Sequence, residues 1–260
     1  MFIEQYRQAR LATGGSLCVG LDPHHDRIPT AFGSTPDGVA RFLRSVIEQT
    51  ADHASAYKPN IAFFEALGPR GLEVLHETVK QAQSAGRPVI LDAKRGDIAS
   101  TASAYAAAAF DIMGVDAITV VPYMGADAVV PFLDQGGFVF LLALPSNPSA
   151  ATIVDHGNPP LYVRIGELAV ELEAKYPRQL GLVVAAQRPR AAAELHSLAP
   201  EIPWLVPGIG AQGADMEAFF GNVGTHKTMV VNASRAVLFA QEPAQAAEKL
   251  KRSIEESRHG

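Results

Sequence analysis

Residues 89–101 read VILDAKRGDIAST, and the fold follows from how that stretch divides. Residues 89–94 start apolar and read as a strand; period two then sends Asp92 and Lys94 to one face and Leu91 and Ala93 to the other. Arg95 and Gly96 continue a strand poorly. Asp97 opens a run of alanines with Ser100, Thr101 and Ser103, which reads as a helix reaching Met113. Strand, charged turn and helix make one βα unit, with two carboxylates and a lysine where the strand stops. Taken singly, these charges have plain readings: Asp97 as a helix N-cap, Asp92 and Lys94 as a structural ion pair. Together they point to chemistry. Burying a lysine beside two acids is costly without a compensating geometry, and enzymes keep such groups at strand ends under loops.

The unit repeats on both sides. Upstream, helical patterns at 2–13, 35–52 and 71–84 alternate with apolar strands at 16–21 and 54–58, the second of these helices carrying Val39, Phe42, Leu43, Val46 and Ile47 at helical spacing. Downstream, strands at 117–121, 138–144, 180–185, 204–206 and 228–232 alternate with helices at 125–134, 161–176, 189–199, 215–220 and 242–257. A polar stretch, 145–160, is long enough to be a lid. Eight strands alternating with helices predict an α/β fold, a (β/α)8 TIM barrel, with 1–260 as a single domain. In such a barrel the site lies at the C-terminal ends of the strands. The strands run out into polar residues: Asp22, Lys58, then Asp92 with Lys94 and Asp97, Tyr123, Ser146, Gln187, the Gly208 loop, and Ser234 with Arg235.

Composition narrows the partners. The chain is 48% hydrophobic and carries 22 basic against 27 acidic residues, with no basic cluster to track a phosphate backbone, so nucleic acid is not expected. Its apolar runs are far too short for a membrane span, and the start MFIEQYRQAR has an acid where a signal peptide is basic. A soluble, cytoplasmic protein is expected. Cys18 is the single cysteine, which excludes an intrachain disulfide, and within SLCVGL it reads as core. The eight histidines are scattered, so no metal and no cofactor is expected.

Residues 207–213 read PGIGAQG, a G-x-G-x-x-G pattern after a strand. It comes after the seventh strand rather than the first, and about 20 residues on, where a dinucleotide site needs an acid, stand Ser234 and Arg235. Barrels bind phosphate with the loops after strands seven and eight, where glycines let backbone N–H groups approach and an arginine supplies a fork of donors. Gly208, Gly210, Gln212 and Arg235 fit that role.

With these residues in place, Asp92-x-Lys94-x-x-Asp97-Ile98-x-x-Thr101 resembles the signature of the orotidine 5'-phosphate decarboxylase family. GLDP at Gly20 to Pro23, KPNIAFFE at Lys58 to Glu65, PYMGAD at Pro122 to Asp127, SNPS at Ser146 to Ser149 and NASRA at Asn232 to Ala236 resemble its longer bacterial branch. The resemblance implies cofactor-independent decarboxylation of orotidine 5'-phosphate to UMP, with Lys94, Asp92, Asp97 and Lys58 as catalytic residues. It implies that Asp22 and Lys58 hold ribose hydroxyls, that Ser146 bonds the pyrimidine amide, and that Gln212 and Arg235 take the phosphate. It also implies a homodimer in which Asp97 and Thr101 reach the neighbour's pocket, with Ile98 among the substrate-binding residues. Val121, Leu144-Pro145 and Ala186-Gln187 depart from the branch's usual residues; none touches the Asp-Lys-Asp core.

The chemistry is coherent. Loss of CO2 from pyrimidine C6 leaves a carbanion that cannot spread into the ring π system, so a nearby cation and an immediate proton donor are needed, and Lys94 can be both. Three rivals share the barrel. A magnesium-dependent sugar-phosphate decarboxylase or aldolase would draw oxygen ligands from Glu65, Asp92 and Asp127. A non-catalytic nucleotide-binding barrel would be expected to lack one of the three charged residues, and all are present. A Schiff-base lysine is disfavoured by its two carboxylate neighbours.

Overall fold

The computed structural model describes residues 1–208, 216–224 and 228–259. Its eight strands are β1 Leu17–Leu21, β2 Ala56–Pro59, β3 Ile90–Arg95, β4 Ala117–Val120, β5 Phe138–Leu144, β6 Leu180–Val184, β7 Trp204–Val206 and β8 Met229–Ala233. All pairings are parallel, in the order β2-β1-β8-β7-β6-β5-β4-β3. The two ends of that order meet through bridges Tyr57↔Val89 and Asn60↔Asp92, so the sheet is a nearly closed barrel, as the repeat predicts. The seam is thin, and it lies beside the Asp92–Lys94 turn.

Two apolar layers hold the barrel. The outer one packs the strands against the surrounding helices. The inner one fills the lumen with Cys18, Ile90, Phe138, Phe140, Leu205 and Val230, and helix Phe2–Thr13 plugs its lower end with Phe2, Ile3 and Tyr6. The Tyr6 hydroxyl donates to the Met229 carbonyl at 2.6 Å, which ties the plug to β8 and satisfies a buried donor. Burial pushes the Cys18 thiol up to about 12, in keeping with an inert core residue. The plug leaves only the opposite mouth of the barrel open to a ligand.

Several elements differ from the sequence expectation. The helix expected to reach Met113 is α-helical over Ala99–Ala107 and widens to a π-turn at Ala108–Ile112. The helix expected at 125–134 is split into a 3-10 turn, Ala126–Ala128, and a helix at Val130–Asp134, because Pro131 lacks the N–H that would continue a preceding turn. A short helix, Ile61–Glu65, was not expected; the Asn60 side chain caps it by accepting from the Ala62 N–H at 3.1 Å. The 145–160 stretch is not all loop, since Pro148 opens a turn that leads into helix Ala151–Val154. No helix among the described residues is long and apolar enough to cross a membrane.

Candidate active site

The site begins with an irregularity in β3. Leu91 pairs with Ile118 and Arg95 with Val120, so four residue steps on β3 face two on β4. The surplus arches the strand into a bulge, and Lys94 takes a left-handed φ of 45°. Gly96 comes next with its Cα hard against β4's exit; a Cβ there would lie 2.8 Å from the Val121 carbonyl. Strict period-two alternation therefore does not govern Lys94. It meets Asp92 through the bulge and a direct ion pair.

Asp92 is the hub. Its Oδ2 accepts from Lys58 Nζ at 2.9 Å and Asn60 Nδ2 at 3.4 Å; its Oδ1 accepts from Lys94 Nζ at 2.7 Å and Thr119 Oγ1 at 3.0 Å. The two lysines differ in exposure: the Lys58 side chain is 6% exposed, Asp92 11%, and Lys94 47%. Burial would push the Asp92 carboxyl up, but the charges of Lys58 and Lys94 outweigh it and hold it well below the carboxylate range. Burial would push the Lys58 ammonium down, but Asp92 and then Asp22 outweigh it and hold it above the ordinary lysine range. A fixed row of alternating charge results: buried cation, carboxylate, open cation.

A cavity of about 190 Å³ lies over this row, lined by Lys58, Asp92, Lys94, Thr119, Ser146 and Asn147 and otherwise by Leu142, Val183, Leu205 and prolines 145 and 207. One part is charged and polar and the other apolar, so the field of the row acts beside low-dielectric walls. Leu142 is the one half-buried residue of β5, and the cavity explains it.

At the ends of β1 and β8, the Asp22 Oδ1, Asn232 Oδ1 and Ser234 Oγ atoms are buried with no hydrogen-bond partner among the described residues. These strand ends touch: a Cβ on Gly20 would fall 2.6 Å from the Ser234 Cβ. Buried oxygens with unused bonding capacity at a strand-end site suit a ligand's hydroxyls. Beyond β8, Arg235 is exposed and begins the short helix Arg235–Leu238. Gln187 donates to the Gly208 carbonyl at 3.2 Å, so the loops after β6 and β7 meet. Gly210 and Gln212 lie outside the described residues.

The structure thus brings Lys58, Asp92, Lys94 and Ser146 to one cavity and places Asp22 and Arg235 at neighbouring strand ends. Asp97, Ile98 and Thr101 are not part of that cavity. The Asp97 carboxylate accepts from the Ile98 N–H at 2.8 Å and makes no ion pair among the described residues. It stands one place before the helix N-cap, which is Ile98, so the N-cap reading is off by one residue. Thr119 and Asn60 both bond Asp92, a role that the motifs in the sequence do not assign to them. A threonine at an inward position of AITV was the available signal, since its neighbours on that face are apolar.

The comparisons converge on one family. The family model described as "Orotidine 5'-phosphate decarboxylase / HUMPS family" matches residues 15–250. The chain is 43% identical over 245 residues to the orotidine 5'-phosphate decarboxylase of Herpetosiphon aurantiacus, covering 92% of this chain and 90% of that one. It is 41% identical over 251 residues to that of Roseiflexus castenholzii, covering 94% and 90%. Among solved structures, the Leishmania donovani OMP decarboxylase superposes with a TM-score of 0.87 at 36% identity, covering 100% of this chain and 99% of that one.

Proposed function

We propose, since this chain belongs to the orotidine 5'-phosphate decarboxylase / HUMPS family, that its Lys58–Asp92–Lys94 row carries out the decarboxylation of orotidine 5'-phosphate to UMP. The activity, that of a carboxy-lyase in pyrimidine biosynthesis, is the one its relatives are named for. The observation that carries the assignment of roles is the charge row beneath a cavity with apolar walls. Lys94, the open cation of the row, stabilises the negative charge that develops at C6 and then donates its proton there. Asp92 holds Lys94 in place from one side and is itself held by Lys58, Asn60 and Thr119, so the charges do not reorganise as the bond breaks. Ser146 bonds the pyrimidine, Asp22 and Lys58 the ribose, and Gly208, Gly210, Gln212 and Arg235 the phosphate. Phosphate binding is remote from the broken bond, yet it closes the loops over the site and so contributes to turnover.

The protein works as one barrel domain, 1–260, in the cytoplasm, without a cofactor and as a homodimer. Asp97, Ile98 and Thr101 complete the partner's pocket rather than their own. Two observations support this. Among the described residues Asp97 has no cation partner within its own chain, and Ile98, Tyr105, Tyr123 and Met124 are exposed beside it, more apolar surface than a monomer leaves bare without reason. Arg95 lies 4.7 Å over the Tyr105 ring, at the edge of this patch. The sugar-phosphate alternative lacks support, since Asp92 is fully engaged by lysines and Thr119, Glu65 pairs with Arg95, and the relatives carry the other name.

Purified protein in excess chelator is expected to convert orotidine 5'-phosphate to UMP at an undiminished rate. Turnover that requires added magnesium would move the chain to the metal-dependent reaction. Subunit exchange tests the shared site. Lys94→Ala and Asp97→Ala proteins, each inactive, should regain about a quarter of wild-type activity when dissociated and mixed, because half the dimers become mixed and one site in each is intact. No recovery on mixing would place Asp97 and Lys94 in the same chain's site.

A further inference from the structure

We infer that Thr119 is a positioning residue for the reaction, its single hydroxyl setting both the Asp92 carboxylate and the backbone turn that presents Lys94. The inference rests on the decarboxylase reading above. A threonine hydroxyl has one proton and two lone pairs. The Thr119 Oγ1 accepts from two successive backbone N–H groups, Ala93 at 3.1 Å and Lys94 at 3.0 Å. With both lone pairs taken, its proton has one place left to go, and Asp92 Oδ1 stands 3.0 Å away. The direction of this bond is therefore forced rather than one of several rotamers.

The bulge explains why such a residue is needed. Between Leu91 and Arg95 the β3–β4 ladder loses its regular pairing, and the N–H groups of Ala93 and Lys94 donate to a side chain, Thr119 Oγ1. Thr119 faces the bulge from β4, is 1% exposed, and supplies that acceptor. Lys94 is held there in a left-handed conformation that a non-glycine residue adopts only when its surroundings over-determine it. Oδ1 of Asp92 is shared between Thr119 and Lys94, while Oδ2 is shared between Lys58 and Asn60. Removing the hydroxyl frees the carboxylate to turn about its bond to Lys58 and frees the turn that aims the proton donor. The residues proposed for the ribose and phosphate, Asp22, Lys58 and Arg235, make no bond to Thr119, and Lys58 keeps its own bond to Asp92 Oδ2, so substrate binding is expected to hold.

The test is steady-state kinetics of Thr119→Val and Thr119→Ser, with thermal melting and UMP binding measured on the same preparations. Thr119→Val is expected to lower kcat by about 10- to 100-fold with KM and UMP affinity within about threefold of wild type. Thr119→Ser, which keeps the hydroxyl, is expected to hold kcat within about threefold. A lower melting temperature with kcat intact in Thr119→Val would overturn the inference, as would equal losses in the serine variant. If Thr119→Val does not fold, Thr119→Ala is read by the same split; loss of folding in both assigns the hydroxyl to stability alone and also overturns the inference. Wild-type protein that is inactive on orotidine 5'-phosphate would instead sink the decarboxylase reading itself.

Discussion

Lys94→Ala is expected to lower kcat for orotidine 5'-phosphate by at least about 10⁴-fold, since it removes the group proposed both as proton donor and as the cation facing the developing carbanion. Both losses fall on one atom, Lys94 Nζ, which sits 2.7 Å from Asp92 Oδ1 and opens onto the cavity. Stability should hardly change. The Lys94 side chain is nearly half exposed, and Asp92 keeps Lys58, Asn60 and Thr119 when it is gone. UMP binding should likewise survive, because the residues proposed for the ribose and phosphate stand at the ends of β1, β2, β7 and β8 rather than β3. Release of CO2 under single-turnover conditions, beside a melting curve, reads both quantities. A variant within tenfold of wild-type turnover would remove Lys94 from the chemistry and leave it as an ion-pair partner.

The barrel was legible because its signals are local and repeated. Apolar strands ending in Asp22, Lys58 and Asp92 alternate with helical patterns, and the order of strands around the sheet follows from that alternation once closure is assumed. The residues gathered at the cavity, Lys58, Asp92, Lys94 and Ser146, were legible for the same reason: each ends a strand. What escaped was set by register rather than by pattern. The bulge in β3 cannot be read from LDAKR, since period two fits those residues equally well without it, and the bulge is what puts Thr119 opposite Asp92 and gives Lys94 its left-handed backbone. Asn60 escaped because its contact with Asp92 depends on the β2–β3 seam, a pairing between residues far apart in sequence. Asp97 belongs to the signature motif, yet among the described residues no contact within one chain shows what it does.

Asp92→Asn is the substitution expected to damage the fold most. It keeps the shape of the hub and removes its charge, so the Lys58 ammonium, 6% exposed, is left with Asp22 as its remaining counter-charge. Breaking a buried pair by removing one partner costs about 3–5 kcal/mol, which for a chain of this size is a fall of roughly 10 °C in melting temperature. The pH dependence follows from the two directions of shift. The Asp92 carboxyl is held low in the fold, so its contribution is complete above the ordinary carboxylate value of about 4 and is lost as pH falls through the lowered one. The Lys58 ammonium is held high, so its contribution is complete below the ordinary lysine value of about 10.4 and is lost as pH rises through the raised one. Between those limits the wild-type advantage over Asp92→Asn should be flat, and below about pH 4 it should shrink. Adding Lys58→Met to Asp92→Asn removes the stranded charge and should recover part of the lost stability, since a buried pair replaced on both sides costs far less than one broken on a single side. Denaturant titrations of the three proteins at about pH 7 and about pH 3.5 distinguish the cases. If Asp92→Asn unfolds at the wild-type midpoint at neutral pH, the row of charges contributes nothing to the fold and its only justification is the reaction at Lys94.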